Sequence, residues 1–152
     1  RGLFLPPGLR GEIEGEARRG YPYEVCGLLL GHMDASGVSV RCVRLGQNIH
    51  QTPRTAFELD PAAMLVALDG AKDLELVGFF HSHPDRPAWP SAADDRGAWE
   101  GFATVISAID SRGACTTRGF FFEARVFREL LPSEDRFPAS QGRRPKDLSA
   151  QC

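Results

Sequence analysis

Cysteine is sparse in this 152-residue chain: Cys26, Cys42, Cys115 and Cys152 are widely spaced, with no Cys-x-x-Cys pair. That spacing excludes a disulfide-rich scaffold and predicts reduced thiols in a cytoplasmic protein. No stretch approaches the roughly 18 apolar residues of a membrane span. The opening Arg1-Gly2-Leu3-Phe4-Leu5 also lacks the long apolar core of a signal peptide. A first residue that is Arg rather than Met leaves room for an upstream piece. Large charge of either sign is missing as well, and a net charge of −2 gives no reason to expect a nucleic-acid partner. Internal repeats are absent.

What is present is ordinary for one globular domain, with 42% hydrophobic and 25% charged residues. Charge is uneven, however. From Arg136 onward, Arg136, Arg143, Arg144 and Lys146 oppose only Asp147, so the end is basic while the body carries the acidic excess. Periodicity is lost there too. We expect a domain over residues 1–135 and a loose, solvated tail over 136–152.

Within the domain, Leu9, Ile13 and Ala17 recur every fourth residue and predict an amphipathic helix ended by Gly20 and Pro22. Val25 to Leu30 and Val38 to Leu45 read as a hairpin. Phe57-Glu58-Leu59 reads as a short strand, and Asp60-Pro61 caps a second helix whose apolar face is Met64, Leu65, Leu68 and Ala71. Leu74 to His81 is a central strand. A third helix is expected from Ser91 to about Gly101, followed by strands at Thr104 to Ile109, Cys115 to Glu123 and Arg125 to Leu131. This pattern predicts an α/β sandwich on a mixed, largely antiparallel sheet flanked by helices.

The chemistry is concentrated in His81-Ser82-His83-Pro84, with Ser91 and Asp94 downstream. Residues i and i+2 of a strand share a face about 6.6 Å apart, so two imidazoles can converge on one ion. Asp94 follows across a loop stiffened by Pro84, Pro87 and Pro90, which lets it fold back over the strand end. Two imidazoles and a carboxylate suit zinc and leave a fourth position for a reactive water. Ser91-Ala92-Ala93-Asp94 also matches a capping box, a competing structural reading. Beside the histidine pair, ligation is favoured for Asp94, with Asp95 a first-turn acid.

Glu24 enters an apolar strand, a costly place for a carboxylate without a task or partner, and is the candidate base. Cys26 is expected to pack in the core, and His32 and His50 to have surface roles. Trp89 is assigned to the substrate edge. Other His-x-His settings fit poorly: amidohydrolase barrels need about 250 residues, cupins place a glutamate where Pro84 to Pro87 stand, and zinc deaminases need Pro-Cys-x-x-Cys.

Tyr21-Pro22-Tyr23-Glu24-Val25-Cys26-Gly27-Leu28-Leu29-Leu30-Gly31, His81-Ser82-His83-Pro84 and Pro90-Ser91-Ala92-Ala93-Asp94 together resemble the JAMM (MPN-plus) zinc metallopeptidases, in their compact prokaryotic form. The likeness covers about residues 3 to 131. It implies an MPN, cytidine-deaminase-like fold and one zinc ion per chain on His81, His83 and Asp94. Glu24 would then relay the water's proton to the departing amine, and Ser91 would hydrogen-bond the oxyanion or the water. The implied substrate is a ubiquitin-like or sulfur-carrier protein joined through a Gly-Gly tail, added as a strand along an exposed sheet edge. Two alternatives belong to other classes: a non-catalytic MPN-type interaction module, which would lack the ligand set, and a regulatory metal-binding protein, which would not need Glu24.

Overall fold

The computed structural model describes residues 1–71 and 73–134. The elements are β1 (Gly2–Phe4), α1 (Pro7–Gly20), β2 (Cys26–Asp34), β3 (Gly37–Gly46), α2 (Pro61–Asp69), β4 (Glu75–Pro84), α3 (Ala92–Gly97), β5 (Phe102–Ile109), β6 (Cys115–Glu123) and β7 (Val126–Pro132). The expected tail over 136–152 lies outside the described residues.

The α/β class holds, but the sheet is closed rather than one layer of a sandwich. Its order is β1-β3-β2-β4-β5-β6-β7, and β1 completes the ring by pairing in parallel with both β3 and β7. The sheet is mixed, because β4 and β5 are also parallel while the β2–β3, β2–β4, β5–β6 and β6–β7 pairs are antiparallel. Strand alternation reads the same in an open and a closed sheet. Closure depends on which distant strands meet, and the closing strand is three residues long, too short to show a period.

Helix α1 forms where its spacing predicts, with Pro7 in its first turn and Arg18 and Arg19 in its last. It buries Ile13 and Ala17 and packs against β3, β4, β5 and β6. Ile13 joins Leu29, Val38, Val40, Val77, Phe80, Ala103 and Val105 in the main core. The core therefore sits between α1 and the sheet. Gly78 allows β4 and β5 to close up, since a Cβ there would run into the Ala103 backbone.

Helix α2 starts as expected, with Asp60 accepting from the Ala62 N–H at 3.1 Å. Its apolar face is covered only in part: Leu68 and the buried Ala71 join a small cluster with Leu30 and Cys42, whereas Leu65 and Val66 are 70% and 76% exposed. Phe57 to Leu59 forms only a single bridge, Asn48 to Leu59, and α3 stops at Gly97. Cys26 and Cys115 are free. No described helix is long and apolar enough to cross a membrane.

Candidate metal centre and active site

Pairing of β2 with β4 brings the upstream and downstream motifs together. Cys26 stands opposite His81, and one step further the Ser82 N–H donates to the Val25 carbonyl at 3.0 Å. The Ser82 hydroxyl oxygen accepts the Val25 N–H at 2.9 Å. Ser82 is fully buried, so it faces the fold and sews the strands together. The stitch sets Glu24, the residue just before Val25, beside the histidines.

Asn48 fixes the backbone around Glu24. Its amide donates to the Glu24 carbonyl at 2.9 Å and the Ala56 carbonyl at 3.0 Å, and its oxygen accepts from the N–H groups of His50 and Glu58. Glu24 donates its own N–H to Pro53 at 2.7 Å. The loop held by Asn48 carries Phe57, whose ring stacks on His81 with centroids 4.4 Å apart. Neither Asn48 nor Phe57 has a motif signature of its own, and sequence reasoning missed both as supports of the site.

Both histidines lie on one face of β4, as the two-residue period requires. Asp94 comes back over them from α3. Its Oδ1 lies 3.0 Å from His81 Nε2 and its Oδ2 lies 3.0 Å from His83 Nε2, while the two Nε2 atoms are 3.1 Å apart. Ser91 is the N-cap of α3. Its hydroxyl accepts the Asp94 N–H at 3.1 Å and its own N–H donates to Asp94 Oδ2 at 2.8 Å. The capping box and the convergent cluster are realised together.

The cluster suits a cation on its own chemistry. His83 Nδ1 sits 2.9 Å from the Pro87 carbonyl, an acceptor only, which assigns the proton to Nδ1 and leaves Nε2 a lone pair facing the Asp94 carboxylate. Two electron-rich atoms facing each other call for positive charge between them. One ligand atom from each of Glu24, His81, His83 and Asp94 lies within 4.8 Å of the others, and all four residues are buried. These residues can hold a metal ion.

Electrostatics point the same way. Burial lowers the pKa of His81, keeping it the neutral imidazole that binds metals. Burial pushes Asp94 up, but hydrogen bonds from His81 and from the Ser91 N–H hold its carboxyl well below the usual carboxylate range. Burial pushes Glu24 up to about 7, against the attraction of Arg86. Glu24 Oε1 has no hydrogen-bond partner, and Oε2 has only the Arg86 guanidinium, 3.2 Å away. A buried carboxylate so sparsely partnered, titrating near neutrality, has the properties of a proton carrier.

A cavity of about 820 Å³ opens beside His81 and Asp94, walled by Phe57, Leu65, Phe79, Trp99 and Phe102 among others. The exposed face of α2 borders it. Trp89 does not line this cavity; its ring packs 5.5 Å from Phe120 with the Arg118 guanidinium over it at 4.9 Å. The tryptophan at the cavity is Trp99, held edge-on to Phe79. Cys26 is fully buried, and His32 and His50 lie outside the ligand cluster.

A closed mixed sheet that brings two histidines and two carboxylates together beside the end of β4 forms a domain with a buried cluster able to hold a metal ion. The chain belongs to the prokaryotic homologs of the JAB domain, whose family profile matches residues 6–120. A desampylase of Haloferax volcanii is 39% identical over 118 residues, covering 72% of this chain and 83% of that protein. A probable TtuB-protein conjugate cleaving protease of Thermus thermophilus is 37% identical over 110 residues, 71% of each chain. Among solved structures, a protein of Desulfitobacterium hafniense superposes with a TM-score of 0.76 at 29% identity, over 86% of this chain and 91% of its own.

Proposed function

We propose that this protein is a zinc-dependent metallopeptidase that hydrolyses the amide or isopeptide bond after the Gly-Gly tail of a ubiquitin-like or sulfur-carrier protein. The observation that carries this reading is the buried convergence of Glu24, His81, His83 and Asp94 within 4.8 Å. The names of the Haloferax and Thermus relatives, a desampylase and a probable conjugate-cleaving protease, support the substrate class.

His81, His83 and Asp94 hold the ion, with Pro87 fixing the tautomer of His83 and the Ser91 N–H fixing the carboxylate of Asp94. When bound, zinc supplies a Lewis acid that acidifies water and polarises the scissile carbonyl. Glu24 accepts the proton of the attacking water and passes it to the departing amine. Its Oε1, which has no hydrogen-bond partner, is available for both transfers. Ser91 Oγ, an acceptor from Asp94, keeps its own hydroxyl proton for the oxyanion.

The tail of the substrate lies along the cavity beside His81, and two glycines offer the smallest cross-section to the ion. Among the described residues β1 pairs only with 37–39 of β3 and 131–132 of β7, so closure leaves the rest of those strands for pairing with an extended tail. Backbone pairing is also available along Phe57 to Leu59, which is tied to Asn48 by one bridge only.

The test compares bound zinc and cleavage of a carrier-Gly-Gly-lysine conjugate in wild type, Glu24→Gln and His83→Ala. Glu24→Gln keeps zinc and loses turnover, whereas His83→Ala loses both. Unchanged turnover in Glu24→Gln would sink the mechanism.

A further inference from the structure

Arg86 is the one feature at this site that the chemistry above leaves unused. It follows His83 by three residues, and its Nη2 lies 3.2 Å from Glu24 Oε2. The Glu24 side chain is 1% exposed and that of Arg86 is 31% exposed, so this pair is not an ordinary surface contact. Two other carboxylates, Asp85 and Asp110, line the shallow cleft of about 420 Å³ that Arg86 also borders. The guanidinium nevertheless pairs with Glu24.

The local backbone makes this choice. Asp85 has φ of 56°, a left-handed conformation that turns the chain sharply after Pro84. The turn is pinned on both sides: the Tyr21 hydroxyl donates to Asp85 Oδ2 at 2.6 Å, and the Asp85 N–H donates to the Ile109 carbonyl at 2.8 Å. One residue further, the Pro87 carbonyl takes the His83 ring proton. Arg86 is thus carried between two anchored residues and delivered to Glu24.

Glu24 presents a chemical ambiguity that such a partner resolves. Its carboxylate lies within 4.8 Å of the three proposed ligand groups, and the polar contact it makes besides them is the ion pair with Arg86. A carboxylate is itself a good zinc ligand, and structural zinc sites close with four protein ligands where catalytic sites keep one position open. Left free to rotate, Glu24 could coordinate the ion as a fourth ligand and shut out the water.

We propose that Arg86 is a positioning residue that holds the Glu24 carboxylate off the metal, keeping it a base rather than a fourth ligand. This rests on the metallopeptidase reading of the site, but it concerns where Glu24 sits, which can be measured without turnover. The guanidinium suits the task because it stays charged at all working pH.

The test is a double-mutant cycle on zinc affinity, read by competition with a chromophoric chelator, for wild type, Arg86→Gln, Glu24→Gln and the double variant. Arg86→Gln is expected to bind zinc about 10- to 100-fold more tightly than wild type and to lose kcat by a similar factor at unchanged KM. Tightening must vanish in the Glu24→Gln background. Arg86→Lys, which keeps the charge, restores most of the wild-type affinity and part of kcat. Equal or weaker zinc binding in Arg86→Gln overturns the proposal, because a merely structural role could only loosen the site. Equal tightening in both backgrounds overturns it too, since that is the removal of a nearby positive charge and nothing more. If Arg86→Gln fails to fold, Arg86→Lys and wild type are compared by the crystallographic position of Glu24 in the zinc-loaded proteins, and a Glu24 oxygen bound to zinc in wild type overturns the proposal. Absence of cleavage by wild type would count against the function proposed above and leave the affinity cycle intact.

Discussion

Asp94 Oδ2 accepts the Ser91 backbone N–H at 2.8 Å and lies 3.0 Å from His83 Nε2, so one carboxylate oxygen serves a helix cap and the ligand cluster together. The cap sets the side-chain direction before any ion arrives, which lowers the ordering cost of building the site. Read from sequence, capping and ligation compete for the same four residues. In the fold they cooperate, because α3 begins where its first turn faces β4.

Ser91 caps α3 and has a proposed second duty toward the oxyanion, and the two can be separated. Ser91→Ala is expected to cost about 1 kcal/mol of stability through loss of the side-chain cap. It should retain zinc, because the backbone N–H still holds Asp94, and should lower kcat about 100-fold as an oxyanion donor is lost. Denaturant unfolding, zinc titration and steady-state kinetics separate the three effects. Wild-type kcat in Ser91→Ala would remove Ser91 from the chemistry.

Glu24 makes the metal-free protein sensitive to pH. Its folded pKa of about 7 lies above the ordinary 4.5, so the folded state holds this proton more tightly than the unfolded state. Its contribution to stability is therefore greatest at low pH and is lost as pH rises between those two values. In urea unfolding of metal-free protein, the advantage of Glu24→Gln over wild type should grow by about 3 kcal/mol between about pH 4 and about pH 8. A pH-independent difference would show that Glu24 is not the titrating group.

Asn48 acts on the site through the loop it holds. Asn48→Ala removes hydrogen bonds to Glu24, Ala56, His50 and Glu58, and is expected to destabilise the protein by about 2 kcal/mol. Since none of the proposed ligands is touched, zinc affinity should change little while kcat falls. Loss of zinc in step with activity would mean that the loop supports the ligands instead.

Cys26 should be chemically silent. It is fully buried, and burial with the nearby Glu24 charge pushes its thiol up to about 12. Native protein should leave it unmodified by iodoacetamide at neutral pH, and Cys26→Ala should retain turnover. Rapid alkylation accompanied by inactivation would revive a thiol nucleophile.

The sequence by itself determined the elements with a strong period and the residues with distinctive chemistry. Helix α1, the β2–β3 hairpin, β4 with its two histidines, and the pairing of Asp94 with Ser91 are local patterns, set by residues a few positions apart. Glu24 was legible for a related reason: a carboxylate entering an apolar strand violates a local rule. What only the tertiary structure decided depends on contacts far apart in the chain. The three-residue β1 closes the sheet between β3 and β7, a pairing between segments about 35 and 130 positions apart. The apolar face of α2 is divided between a small core cluster at Leu68 and an open cavity at Met64 and Leu65, which Trp99 lines and Trp89 does not. Arg86 meets Glu24 across 62 positions because β2 and β4 pair in one register and Asp85 turns the chain back. Periodicity reports which face of an element is apolar, but only the packed fold determines what that face meets.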